Sequence, residues 1–149
     1  MRTQERGFVS EPRFHIVLVE DTEPDVFLIR EALERDGLEF ELEVLDDGEK
    51  AVDFIDRIDQ DPAIRRPNLL LLDLNLPKKS GGQVLERVRQ SPACADVPVV
   101  ILTSSDSPMD KARAAQYKAT EYFKKPSKWD EFMRLGPLVR DLLVEGAAH

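Results

Sequence analysis

Residues 68–82 read NLLLLDLNLPKKSGG, from Asn68 to Gly82. The four consecutive leucines, Leu69–Leu72, carry no polar alternation. A strand of this kind is buried on both faces, as central strands of parallel sheets are. The run stops at an acid, Asp73, and then at turn-forming residues, Pro77, Ser80, Gly81 and Gly82. A central strand delivering a carboxylate into a turn is the unit from which the rest of the chain reads outward.

Toward the N-terminus the same succession occurs twice. Phe14 to Val19 is β-rich and runs into Glu20 and Asp21, after which Thr22 and Pro24 mark a helix start. That helix extends to about Asp36 with Phe27, Leu28, Ala32 and Leu33 on its apolar side, and Gly37 is a left-handed stop. Phe40 to Leu45 alternates apolar residues with Glu41 and Glu43, which predicts a strand near the sheet edge. A helix carrying Ala51, Phe54, Ile55 and Ile58 follows, then an irregular stretch from Asp59 to Pro67.

Toward the C-terminus, Val84, Leu85 and Val88 lie on a helix, and Val97 to Leu102 forms a strand that ends at Thr103, Ser104 and Ser105. Pro108 to Tyr117 is an alanine-rich helix, and Glu121 to Lys124 a short strand that breaks at Lys125–Pro126. The last helix is expected to start at Ser127 as N-cap and to bury Trp129, Phe132, Met133, Leu138, Val139, Leu142 and Leu143. Gly136–Pro137 should bend or interrupt it. Five strands separated by five helices imply right-handed crossovers and a doubly wound α/β fold with a five-stranded parallel sheet.

Composition narrows the function classes. The 149 residues suit one domain, read as an N-terminal arm (1–13), a folded unit (14–144) and a short tail (145–149). No apolar run approaches the roughly 18 residues of a membrane span, and the N-terminus lacks a secretory apolar segment. The net charge of −8 opposes general affinity for nucleic acid or anionic membrane, leaving proteins as the expected partners. Cys94 is the single cysteine, which excludes an internal disulfide and suits the cytoplasm. His15 and His149, at the start of an apolar run and at the last residue, read as incidental.

Open α/β sheets place their sites beyond the carboxyl ends of the strands. Those ends deliver Glu20 and Asp21, Asp73, Thr103 and Lys125 to one cleft. Three acids held together repel one another unless a cation is present, and all-oxygen ligation is the pattern of Mg²⁺, which also favours phosphate oxygens. A carboxylate beside such a cation can attack a phosphoryl group. Asp73 is therefore the candidate nucleophile, with Lys125 and Thr103 placed for the phosphoryl oxygens. Taken singly, the acids read equally well as helix-start residues, Thr103 as a turn hydroxyl and Lys125 as a surface lysine.

The segments VLVEDTEPD, LLLLDLNLPKKSGG, VVILTSSD and EYFKKP, with 30 residues from Asp73 to Thr103 and 22 from Thr103 to Lys125, resemble the response regulator receiver family from about Phe14 to Leu143. The resemblance implies a flavodoxin-like fold with strand order 2-1-3-4-5. It implies Asp73 as phosphoacceptor, with Mg²⁺ (or Mn²⁺) held by Asp21, Asp73 and the backbone carbonyl of Asn75, and Glu20 acting through a metal-bound water. Glu20 replaces the commoner aspartate. Tyr122 matches the switch aromatic coupled to Thr103, and Ser104 the small residue that gives access to the phosphate.

The resemblance further implies a sensor histidine kinase as phosphoryl donor, and the NLPKKSGG turn, with the long Asp59 to Pro67 loop before it, is similar to that of the small receivers that partner bacterial phytochrome-type kinases. It also implies a downstream protein or phosphotransfer partner, and a homodimer through the fourth helix, fifth strand and fifth helix. Only about six residues follow Leu143, so no output domain is expected. Such a domain is not an enzyme beyond promoting its own phosphorylation and slow dephosphorylation. Two other readings compete. A haloacid-dehalogenase-like phosphatase would carry a second aspartate where Asn75 stands, and a degenerate receiver acting as a constitutive binding module would usually lack Asp73 or Lys125.

Overall fold

The computed structural model describes residues 13–104 and 107–147. The arm up to residue 12, Ser105 and His149 lie outside the described residues. The strands are β1 (Phe14–Val19), β2 (Phe40–Leu45), β3 (Leu69–Asp73), β4 (Val99–Thr103) and β5 (Glu121–Lys124). They pair in parallel in the order β2-β1-β3-β4-β5. The helices are α1 (Glu23–Arg35), α2 (Gly48–Gln60), α3 (Gly81–Gln90), α4 (Pro108–Gln116), α5 (Trp129–Phe132) and α6 (Leu135–Ala147), the last two forming the fifth helical region in two pieces.

Alternate residues of the central strands feed two cores. Val17, Val19, Leu70, Leu72, Val99 and Ile101 pack with α2, α3 and α4 through residues such as Phe54, Leu85 and Ala114. Ile16, Leu18, Leu69, Leu71, Val100 and Leu102 pack with α1, α5 and α6 through Ile29, Leu33, Phe132, Leu135 and Val139. The unbroken leucine run is thus divided between the two faces by the period-two geometry of a strand. β2 is an edge strand, with Glu41 exposed. Gly37 takes φ +76° beyond α1, and its N–H donates to Glu34 O at 3.0 Å.

Several expectations are corrected. β4 begins at Val99 rather than Val97, because Pro98 has no N–H for the ladder and contributes only its carbonyl, which accepts from Leu70 N at 3.0 Å. Phe27 is exposed, since it lies about 200° around α1 from Ile29 at roughly 100° per residue. The last helix does not start from a Ser127 cap. The N-cap position falls on Lys128, without a side-chain cap bond, and cap residues locate a helix start only to within a residue or two.

Trp129 is exposed rather than buried: it lies under the Arg35 guanidinium at 4.7 Å and points its indole N–H toward Glu31 Oε1 at 3.4 Å. The interruption comes at residues 133–134, ahead of Gly136–Pro137, which lie inside the first turn of α6. Proline is tolerated there because first-turn N–H groups have no intrahelical partner. A Cβ at position 136 would strike the carbonyl of Ala32, so the glycine serves the close approach of α6 to α1.

Candidate functional site

The carboxyl ends of β1, β3, β4 and β5 bring the predicted residues together. Glu20 directly follows β1 and is 1% exposed; Asp73 and Thr103 are the last residues of β3 and β4 and are buried as well. Lys125 follows β5, tied to β4 by its N–H to Thr103 O at 2.7 Å. Glycine at position 81 makes room for this arrangement. A Cβ there would collide with the Asp73 carbonyl and with Leu74 Cα, so α3 starts directly against the end of β3. A capping box fixes that start, with Gln83 N donating to Ser80 Oγ and Ser80 N to Gln83 Oε1.

Lys125 is the hub of the site. Its Nζ donates to Glu20 Oε1 at 2.6 Å, Asp25 Oδ2 at 2.7 Å and Asp73 Oδ2 at 2.9 Å. The other oxygen of Glu20 accepts from Asp21 N, Thr22 N and Thr22 Oγ1 at 3.0–3.2 Å. The other oxygen of Asp73 accepts from Asn75 N at 2.9 Å. Glu20, Asp21 and Asp73 each offer an oxygen within 4.8 Å of the others. Thr103 is fully buried, Ser104 exposed, and Tyr122 half-buried with Lys111 Nζ 5.6 Å from its ring centroid.

Four carboxylates against one ammonium, 4 − 1, leave the cleft a formal charge of −3. Burial pushes the Glu20 carboxyl above its ordinary 4.5; the Lys125 bond opposes this and the Asp73 charge adds to it. Burial alone would weaken the Lys125 ammonium, but its bonds to Asp25, Glu20 and Asp73 outweigh that and hold it above the ordinary lysine range. The formal charge of −3 leaves a deficit of positive charge in the cleft. The exclusively oxygen donors and that deficit fit a hard divalent cation.

Glu20 gives a prediction for pH. A carboxyl whose folded-state value is raised destabilises the fold only once the unfolded chain ionises more readily than the folded one. In metal-free protein the stability gain of Glu20→Gln over wild type should therefore be small below pH 4.5, grow above it, and level off beyond the folded-state value. Urea denaturation with a chelator across that range measures the difference, and saturating Mg²⁺ should shrink it. A gain independent of pH would contradict the raised carboxyl.

Asp25 is the site residue that sequence reading missed. It lies in the first turn of α1, where an acid reads as complementing the helix dipole, and nothing local points it at a lysine 100 residues away. His15 stands apart from the site at the start of β1, buried beside Glu43 at 3.2 Å.

Residues 16–135 match the response regulator receiver domain family. This chain belongs to that family. The receiver is 36% identical over 126 residues to Response regulator Rcp1 of Synechocystis sp., covering 85% of this chain and 86% of that protein. Its fold is similar to the crystal structure of the phosphorylated cyanobacterial phytochrome response regulator RcpA (TM-score 0.79, 30% identity, 88% and 94% of the two chains). It is also similar to the Mn²⁺-bound form of Rcp1 (TM-score 0.76, 34% identity, 86% and 92% of the two chains). The observed strand order is that of the receiver fold. Membership makes the domain a signalling phosphoacceptor of two-component systems, to which histidine kinases pass phosphoryl groups, and favours neither the phosphatase nor the degenerate reading. Among the described residues no helix is long and apolar enough to cross a membrane.

Proposed function

We propose that this receiver accepts a phosphoryl group on Asp73 from a histidine kinase of the phytochrome type, in the cytoplasm. The observation that carries the assignment is Asp73 itself: buried at the end of the central strand, 2.9 Å from Lys125 Nζ and within the carboxylate cluster with Glu20 and Asp21. An Asp73 oxygen attacks phosphorus, the P–N bond to the kinase imidazole breaks, and the imidazole keeps the electron pair. Asp21, Asp73 and the Asn75 carbonyl would hold Mg²⁺, or Mn²⁺ in its place, with Glu20 acting through a water. When bound, the cation neutralises charge on the phosphoryl oxygens. Lys125 then exchanges Asp73 Oδ2 for a phosphoryl oxygen, and exposed Ser104 leaves the approach open. Likeness to a phosphorylated phytochrome response regulator and to an Mn²⁺-bound one supports both donor class and cation. The working unit is taken as residues 14–144, with 1–13 an arm and 145–149 a tail.

Incubation with acetyl phosphate and Mg²⁺, followed by intact mass measurement, should show one added phosphate. Asp21→Ala should lower the rate about tenfold or more at sub-saturating metal, because a ligand is lost, while leaving the domain folded, because Asp21 is exposed. An unchanged rate would remove Asp21 from the metal site.

The signal is proposed to leave through Thr103 and Tyr122. A hydroxyl drawn toward the charged phosphoryl oxygens makes a stronger bond than a neutral one. Its movement makes room for the Tyr122 ring and alters the surface of α4, β5 and the α5–α6 region, where a homodimer or a downstream protein would dock. Thr103→Ala should still accept phosphate yet fail to change self-association on adding beryllofluoride, as read by sedimentation. A response equal to that of wild type would sever Thr103 from the output.

A further inference from the structure

An ammonium has three N–H bonds, and each of those of Lys125 already has a carboxylate. The two shorter contacts, 2.6 and 2.7 Å, go to Glu20 and Asp25; the contact to Asp73 is 2.9 Å. Glu20 and Asp73 belong to the group that gathers for a cation, whereas Asp25 does not. Asp25 projects from the first turn of α1, and its side chain is 29% exposed. Its charge is therefore compensated chiefly by the lysine that the phosphoryl group also needs.

We propose that Asp25 is a positioning residue that acts through Lys125, competing with the phosphoryl group for the ammonium and thereby limiting how tightly the site holds phosphate. The proposal rests on Asp73 as the acceptor. Two effects of Asp25 point the same way. It occupies one N–H that a second phosphoryl oxygen would otherwise take, and it adds a negative charge to a cleft that must admit an anion. Loss of Asp25 does not release the lysine, because Glu20 Oε1 remains at 2.6 Å and is buried.

The test uses the full chain and beryllofluoride as the phosphoryl mimic, titrated calorimetrically at Mg²⁺ concentrations saturating for each variant. Asp25→Asn is expected to bind beryllofluoride about three- to fivefold more tightly than wild type, the upper scale of a partly exposed ion pair. Asp25→Ser, also neutral and shorter, should do the same. Asp25→Glu keeps the charge and the reach and should stay within about twofold of wild type. A purely structural role would loosen Lys125 and weaken binding, so equal or weaker binding by both neutral variants overturns the proposal. Failure of wild type itself to bind beryllofluoride in Mg²⁺ would instead refute the acceptor assignment.

Discussion

Asp73→Asn is expected to abolish phosphorylation by acetyl phosphate, with no added phosphate in the intact mass after incubation times that label wild type completely. An amide oxygen is a far weaker nucleophile than a carboxylate, and Glu20, which shares burial, Lys125 and the cation cluster with Asp73, has its second oxygen held by Asp21 N, Thr22 N and Thr22 Oγ1, whereas that of Asp73 accepts from Asn75 N. The same change should stabilise the metal-free protein. It lowers the formal charge of the cleft from −3 to −2 while leaving an oxygen for Asn75 N or Lys125 Nζ. Relief of like-charge repulsion on this scale is worth about 1 kcal/mol, or roughly 3 °C in Tm for a domain of this size. The two readouts are independent. Residual labelling would place the acceptor elsewhere in the cleft, and a fall in Tm would show that Asp73 serves the fold more than it strains it.

Lys125→Met should have the largest effect on stability. The methionine preserves the apolar stem, so the loss is that of the ammonium and its three bonds. Glu20, whose side chain is fully buried, then faces Asp73 without a counter-charge. Removing one partner of a buried pair costs about 3 kcal/mol or more. The cost depends on pH. Glu20 is already raised above 4.5 in the wild type, and without Lys125, whose bond lowers it, the carboxyl rises further. A raised carboxyl destabilises only where the unfolded chain is ionised, so the loss should be small below pH 4.5 and grow as pH rises above it. Saturating Mg²⁺ should restore part of the stability by supplying positive charge. Urea denaturation of wild type and Lys125→Met at pH 4 and pH 7.5, with chelator or Mg²⁺, reads all three effects. Equal stability of the two proteins at pH 7.5 without metal would mean that Lys125 is not the counter-charge of the cleft.

Sequence reading reached the fold class and the convergence of the strand-end residues because both rest on local patterns. β1, β2 and β5 have the limits that their apolar runs and flanking polar residues indicate. The strand-end residues Glu20, Asp21, Asp73, Thr103 and Lys125 converge because parallel strands linked by crossover helices bring their carboxyl ends to the same edge. What a residue meets across the fold was not legible in that way. An acid in a helix's first turn looks the same whether it faces solvent or a lysine 100 residues later, and only the seating of α1 against α5 and α6, the helices that follow Lys125, decides that Asp25 meets it. Likewise Gly136 reads as a helix breaker until α6 lies against α1, where a Cβ would strike Ala32 O. Phe27 and Trp129 look like core residues until the orientation of α1 and the break before α6 turn them outward. The amino-acid order by itself determined the elements and the edge at which the acids collect; tertiary structure decided which charges share one ammonium, because contacts between residues far apart in the chain depend on how helices settle on the sheet.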